Sequence, residues 1–328
     1  MEATEVLNYF REASGRIDRV LRIDLEATGD PELAEVLRYA VFNGGKRIRP
    51  QLVLLTWRLA GGAGGEEEVC RLAIAFEYLH VASLLHDDVI DHSDRRRGLP
   101  SVNARWGLAP AILAGDFLHS RALDLAGEVA GREGVTLMSR AIGAMVAAEF
   151  LQARLAAAGQ STRDDYFRVA AGKTGALIAS ACESGVVLAG GGNVQRLAGL
   201  RYGENLGLAF QIVDDLLDYL GDPARTGKEV GNDLVEGKLT LPLLLALERA
   251  GTDDRRRLLT LLAATPEERR LGFAEVRELI ERHGGFAAAG EKAAELLNEG
   301  LRSLGCFPGG RDLDLLSGLA DYVLRRDK

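Results

Sequence analysis

The chain has 328 residues, with 40 Lys and Arg against 48 Asp and Glu, a formal charge of −8. That sign excludes general nucleic-acid binding, which needs surplus cations to displace phosphate counterions. Hydrophobic residues at 47% and charged residues at 27% match globular usage, so most of the length can bury a core and extensive disorder is excluded.

Residues 1–25 are broken by Glu2, Glu5, Arg11, Glu12 and further charges and do not read as a signal peptide. Apolar residues then recur at three- and four-residue spacing over 32–42, 69–92, 111–130, 134–158, 164–189, 195–220, 240–250 and 268–283. This is the helical period, and no alternating strand pattern of useful length competes with it. Helix starts are marked by Asp30 before Pro31 and by Thr265 before Pro266, the latter with Glu268 completing a capping box. Gly61–Gly65 and Gly190–Gly192 read as helix-to-helix loops, since neither has a strand before it or Lys–Ser/Thr after it. With no linker-like shift in composition, the chain reads as all-α and as one large domain over 1–328. Its longest apolar stretches, such as Leu239–Leu247 and Ala176–Cys182, fall below the ~18 residues of a membrane span, so no span is expected. Cys70, Cys182 and Cys306 show no CxxC spacing; they fit neither a disulfide framework nor a zinc site, and a reducing cytoplasm is the simplest setting.

The first stretch that carries chemistry is HVASLLHDDVIDHSDRRRG, from His80 to Gly98. On a helix, His80, Asp87 and Asp91 fall within about 40° of one another, while Asp88 is turned roughly 90° away. Two carboxylates thus share one face behind the apolar run Val81–Leu85, where partial burial raises the cost of like charge. Arg95, Arg96 and Arg97 can offset that charge directly, or a divalent ion can bridge the carboxylates. A second Asp–Asp–x–x–Asp lies within LGLAFQIVDDLLDY at 206–219. There Asp214, Asp215 and Asp218, with Gln211 one turn earlier, line one face of another apolar helix. A solvated surface would not need apolar residues on both sides, so the two motifs predict two facing carboxylate sets holding hard divalent cations. Magnesium completes its octahedron with water and phosphate oxygens, which predicts a phosphorylated substrate.

Basic residues gather beside these motifs. Gly44–Gly45–Lys46–Arg47–Ile48–Arg49–Pro50 places three cations in a short segment closed by proline, and Lys173–Thr174, Lys228 and Lys238 lie in or beside glycine-rich segments. A single charge run is usually a solvated face; recurrence beside two acidic helices suggests phosphate clamps. Of the histidines, only His80 lies on the Asp87/Asp91 face, and His86 and His92 read as supporting or surface residues.

These motifs resemble the trans-isoprenyl diphosphate synthases, or polyprenyl synthetases. The resemblance rests on GGKRIRP at 44–50, LLHDDVIDHSDRRRG at 84–98, GDFL at 115–118, KTG at 173–175, FQIVDDLLDY at 210–219 and TGKEVGNDLVEGKLTLPLL at 226–244, in the family's order. One departure is Leu239, where the family usually has proline. The resemblance implies an isoprenoid synthase fold, a single helical bundle around a central cavity, and a homodimer. It implies that Asp87, Asp88, Asp91, Asp214, Asp215 and Asp218 hold magnesium ions on an allylic diphosphate such as farnesyl diphosphate. Lys46, Arg49, His80 and Arg97 match positions that hold isopentenyl diphosphate. Arg96, Lys173, Thr174, Gln211, Lys228 and Lys238 match those around the allylic diphosphate, and Thr174 and Gln211 would steady the cation formed when it ionises. The implied reaction is a head-to-tail condensation needing no protein nucleophile: pyrophosphate leaves as its charge is neutralised, the isopentenyl double bond attacks, and a proton is lost.

Small Ala82 and Ser83, one turn before Asp87, imply that the growing chain passes deeper than a short product allows. By analogy with medium- and long-chain members such as octaprenyl diphosphate synthases, the product is about C30 to C50. Phe76, Tyr78 and Leu79, or Met138, Ile142 and Met145, are candidates for the tunnel floor. Alternatives are a short-chain farnesyl or geranylgeranyl diphosphate synthase, a terpene cyclase, and an HD-type metal phosphohydrolase built on the His86–Asp87 doublet. A catalytically silent subunit of a heteromeric synthase is argued against by the intact acidic motifs.

Overall fold

A computed structural model describes residues 3–221 and 230–325. Its long elements are helices: α1 (Ala3–Glu26), α2 (Pro31–Phe42), α3 (Ile48–Leu59), α4 (Glu66–Ile90), α5 (Val102–Trp106), α6 (Leu108–Ala158), α7 (Arg163–Ala170), α8 (Ala176–Leu188) and α9 (Asn193–Leu220). Further helices span Asn232–Val235, Leu241–Arg249, Thr252–Leu262, Pro266–Leu271, Phe273–Arg282, Gly285–Ser303 and Arg311–Arg325. Among the described residues the extended structure is a two-residue hairpin pairing Arg95–Arg96 with Leu99–Pro100. The all-α class is therefore observed.

The chain packs as two compact units. The first comprises Met1–Ile142, Leu177–Gly203 and Leu304–Leu319; the second comprises Gly143–Ala176, Glu204–Ser303 and Ala320–Lys328.

In the first unit α3 and α4 form the centre. Leu52, Val53, Leu55, Leu72, Ile74, Phe76 and Leu79 are completely buried, and each large side chain contributes roughly 1.5–3 kcal/mol relative to exposure. A helix apolar on all sides belongs inside a core. Charges within this core come in matched sets. Arg47 donates to Asp18 at 2.8 Å and to Glu77 at 2.7 Å, and Arg121 meets Asp24 at 2.6 Å. Tyr78 donates to the same Asp24 at 2.9 Å, which makes Tyr78 part of this core network. In the second unit Tyr219, Leu234, Leu243, Leu258, Val276, Ile280 and Phe286 pack as one cluster, with Leu239 partly buried against it.

The capping signals act as expected. The Asp30 side chain accepts from the Leu33 N–H at 2.8 Å, and Thr265 with Glu268 forms the reciprocal box. The expected break between 130 and 134 is a kink inside α6 at Gly131, where φ is +56°.

Three expectations are corrected. Pro50 does not close the basic segment but sits in the first turn of α3, where its missing N–H has no helical partner to lose. Residues 164–189 are not one regular α-helix, because Ala171–Gly175 forms a π-helical turn between α7 and α8. Two helices, α4 and α6, are long and apolar enough to cross a membrane; counting uninterrupted runs missed them because isolated polar residues divide each helix. In α4, 67% of the apolar window is buried in the fold, against 28% in α6. α4 is thus a core helix, while α6 leaves Leu113 and Phe150 exposed.

Close packing gives a direct test. A Cβ on Gly185 of α8 would sit 2.2 Å from Thr56 Oγ1 and 2.3 Å from the Val53 carbonyl oxygen, whereas one on Gly143 of α6 meets nothing within 4 Å. Gly185→Ala is expected to destabilise by about 1–3 kcal/mol through overpacking. Gly143→Ala should stabilise by about 0.4–1 kcal/mol through chain entropy. Urea unfolding midpoints read both.

Candidate active site

In the first unit the site begins where α4 ends. Asp91 is its C-cap residue, donating its backbone N–H to the Asp87 carbonyl at 2.8 Å. His92, at φ +51°, then turns the chain out of the helix. The hairpin that follows turns through Arg97 and Gly98, both at positive φ, as a tight two-residue hairpin of right-handed twist requires. Reversal brings Arg96 back onto α4, where its Nε lies 2.8 and 2.9 Å from the two oxygens of Asp88 and its Nη2 2.7 Å from Oδ1. Asp88 is only 3% exposed, so this pair supplies the charge compensation that burial demands. Asp87 is half-buried and Asp91 exposed.

Arg49, His80, Arg96 and Arg97 belong to one electropositive group. Arg97 donates to the carbonyls of Asn43 at 2.8 Å and of Gly44. A Cβ on Gly45, at φ +124°, would lie 3.3 Å from the Arg97 guanidinium, which explains glycine there. Burial and the charge of Arg97, only partly offset by Glu77, push Arg49 down to about 10. His80 is held well below its ordinary range by burial and then by Arg49, Arg97, Arg96 and Arg47. The buried Nε of Arg49 has no hydrogen-bond partner. A buried donor left open inside a cationic cluster suits an anionic ligand. Lys46 is exposed. Arg47, counted among the clamp cations by sequence, is committed to Asp18 and Glu77 inside the core.

The second unit carries the other acidic motif. On α9, Asp215 is buried and accepts from Gln211 Nε2 at 2.8 Å and from the Tyr166 hydroxyl at 2.7 Å. The Gln211 carbonyl in turn accepts from Thr174 Oγ1 at 2.8 Å. Thr174 sits in the π-helical turn, where widened backbone re-aims side chains. Asp218 accepts from the backbone N–H groups of Asn232 and Asp233 at 3.2 and 3.1 Å. Lys173 pairs with Glu149 at 2.7 Å, and Lys238 with Glu236 at 2.5 Å and Asp233 at 3.5 Å. A cavity of about 140 Å³ is lined by Tyr166, Lys173, Gln211, Asp215, Asp233 and Lys238 together with apolar side chains. Burial, then Asp233, raises Asp215 well above the carboxylate range; the same two causes push Asp218 up to about 6. Carboxylates in such an arrangement are short of positive charge, and their oxygen donors suit a hard divalent ion.

The structure thus groups Arg49, His80, Arg96 and Arg97 with the Asp87–Asp91 helix end. Lys173, Thr174, Gln211, Asp214, Asp215, Asp218 and Lys238 share the second unit. Lys228 lies outside the described residues. Sequence reasoning missed Tyr166 and Asp233. Tyr166 stands seven residues, or two turns, before Lys173, and Asp233 lies inside the quoted NDLVEGK run, so both signals were available.

The polyprenyl synthetase family model matches residues 30–280. A short chain isoprenyl diphosphate synthase of Methanothermobacter thermautotrophicus is 35% identical, covering 98% of this chain and 99% of that one. The octaprenyl diphosphate synthase of Escherichia coli is 35% identical, covering 88% of each. A crystal structure of polyprenyl synthase from Caulobacter crescentus, complexed with calcium and isoprenyl diphosphate, superposes with a TM-score of 0.89 at 33% identity. It covers 100% of this chain and 98% of that one.

Tyr166→Phe removes one donor from a buried carboxylate and is expected to cost about 1–3 kcal/mol. Asp215 titrates higher folded than unfolded, so its contribution to stability is fully present below the unfolded pKa and is lost as pH rises through the folded one. The penalty of the substitution should therefore grow as rising pH ionises the carboxyl, and denaturant unfolding across a pH series measures it.

Proposed function

The chain belongs to the polyprenyl synthetase family of prenyltransferases, and from that premise we propose that it joins isopentenyl diphosphate head to tail to an allylic diphosphate such as farnesyl diphosphate. The product we propose is an all-trans prenyl diphosphate of medium to long chain. The observation that carries the reading is the pairing of a cationic group with an open buried donor at Arg49 and a second site where lysines and a shortage of positive charge surround buried carboxylates. Together these support phosphate recognition and charge stabilisation.

In this reading Lys46, Arg49, His80 and Arg97 hold the isopentenyl diphosphate. The open Nε–H of the charged Arg49 guanidinium donates to the diphosphate, and the neutral ring of His80 adds a contact without further positive charge. Lys173, Lys228 and Lys238, with Arg96, hold the allylic diphosphate. Asp87, Asp88, Asp91, Asp214, Asp215 and Asp218 hold magnesium ions, which when bound neutralise the departing pyrophosphate. Arg96, Tyr166, Gln211 and the backbone of 232–233 orient the oxygens of Asp88, Asp215 and Asp218, as partners of metal-ligating carboxylates do. The Thr174 hydroxyl is committed to Gln211 and the Gln211 amide to Asp215. This chain fixes both dipoles beside the allylic carbon before charge develops there.

The longer product rests on the small side chains of Ala82 and Ser83 on α4, where Ser83 turns its hydroxyl back to the His80 carbonyl at 2.9 Å. The octaprenyl relative supports the longer product. A short-chain product is the second reading, favoured by the equally similar Methanothermobacter relative. The lysine and arginine set supports condensation over cyclisation or phosphohydrolysis.

The family match over 30–280 draws residues from both compact units, which supports a single catalytic domain. Exposed Leu108, Ile112 and Leu113 on α6 support a homodimer, and cysteines at no CxxC spacing support a place in the reducing cytoplasm.

Incubating the purified chain with magnesium, labelled isopentenyl diphosphate and farnesyl diphosphate, then sizing the product, tests the proposal: elongation to a medium or long chain is expected. Asp87→Asn and Asp214→Asn should each lower kcat by about 100- to 1,000-fold, and Ala82→Phe should shorten the product. Because Asp218 is pushed up to about 6, an arriving ion competes with its proton increasingly as pH falls to 6 and below. Magnesium affinity should therefore fall as pH is lowered through 6, as calorimetry in buffers of different ionisation heat would show.

A further inference from the structure

A separate group of donors lies in the first unit, where His86 near the end of α4 meets Asp116 and His119 of α6. Asp116 and His119 are three residues apart and so share one helix face. Gly115 makes the approach possible, since a Cβ there would lie 2.3 Å from His86 Nε2. The two imidazoles stack with centroids 5.4 Å apart and planes at 25°. His86 Nε2 lies 3.2 Å from the Ile112 carbonyl oxygen, a contact that a bound ion would replace, and 3.6 Å from Asp116 Oδ1; one ligand atom from each of the three residues falls within 4.8 Å of the other two. Two ligands bound at ~2.0–2.1 Å to a tetrahedral ion stand about 3.3 Å apart, so small side-chain rotations close the set. Asp116 has room for its share, with a side chain 63% exposed.

We propose that His86, Asp116 and His119 form a transition-metal site, with zinc as the fitting ion, chemically distinct from the acidic motifs. Two imidazoles and one carboxylate prefer a borderline ion to magnesium, which takes oxygen ligands. Three protein ligands leave one position for water. His119 Nδ1 lies 3.1 Å from the Gly115 carbonyl; donation there fixes a neutral tautomer and leaves Nε2 for the ion. Burial and the neighbouring His86 also hold His119 below its ordinary range, which keeps the ring unprotonated. A bound ion ties the last turn of α4, one residue before Asp87, to α6. It thereby stiffens the backbone that presents the first acidic motif.

The test uses the full chain, stripped with EDTA and then held in excess magnesium so that magnesium outcompetes zinc for hard oxygen sites. Titration with zinc should show a single ion per chain by calorimetry, and cobalt should give the visible absorption of a four-coordinate nitrogen and oxygen set. His119→Ala and Asp116→Asn should each weaken zinc binding at least about 100-fold, since even outer-sphere changes cost 10–100-fold. Asp116 is exposed, so its substitution keeps the fold. Asp91→Asn and Asp214→Asn should leave zinc binding unchanged. No zinc bound by the native chain, full affinity in either His119→Ala or Asp116→Asn, or loss of zinc in Asp91→Asn or Asp214→Asn would each overturn the site.

Discussion

A carboxylate taken out of water must be given back positive charge or hydrogen bonds, and this requirement governs both acidic helix faces. Asp88 and Asp215 are each only 3% exposed, in helices whose neighbours are apolar. The desolvation penalty of an unpaired carboxylate runs to several kcal/mol, a large share of the net stability of any domain. The two sites answer the demand differently. Arg96 gives Asp88 a full opposite charge through a tight hairpin. Among the described residues Asp215 receives neutral donors, a phenol and an amide, while burial and then Asp233 push its carboxyl upward. Among those residues the second site is short of positive charge, which is the condition that favours ion binding.

The first unit shows the complementary imbalance. Arg49, Arg96, Arg97 and His80 repel one another, as the lowered values of Arg49 and His80 show. Glu77 is the acid within reach of Arg49, and it is already hydrogen-bonded to Arg47. One site therefore holds cations awaiting an anion, and another holds anions short of cations. In the proposed reading a diphosphate answers the first imbalance and divalent ions the second, so each local conflict that the fold maintains at a cost is relieved by its own ligand. Such mismatches between local rules and the rest of a consistent structure are where function is expected.

Much of this was legible in the chain. The two Asp–Asp–x–x–Asp runs, the basic clusters and the all-α class follow from spacing, because helical geometry converts sequence intervals into faces. Asp30 and Thr265 cap helices because capping is decided by residues three positions apart. Other features depend on contacts distant in sequence. Arg47 looks like its neighbours Lys46 and Arg49, and only Asp18 and Glu77, 29 and 30 residues away, show that it points inward. The π-helical turn at Ala171–Gly175 leaves no mark on apolar periodicity, although it carries Lys173 and Thr174. Tyr166 looks like an ordinary core aromatic until its hydroxyl is seen on Asp215. In α1 the charges scattered over the polar face mask Val6, Phe10, Ile17 and Leu21 on the buried one.

The central claim is that the acidic faces exist to gather divalent ions around a diphosphate. Counting bound Mn²⁺ by electron paramagnetic resonance, with and without inorganic pyrophosphate, addresses it without relying on turnover. Several ions should bind per chain only when pyrophosphate is present, and replacing Asp87 or Asp214 should each remove part of that complement. An ion count unaffected by either replacement, or by pyrophosphate, would contradict the account.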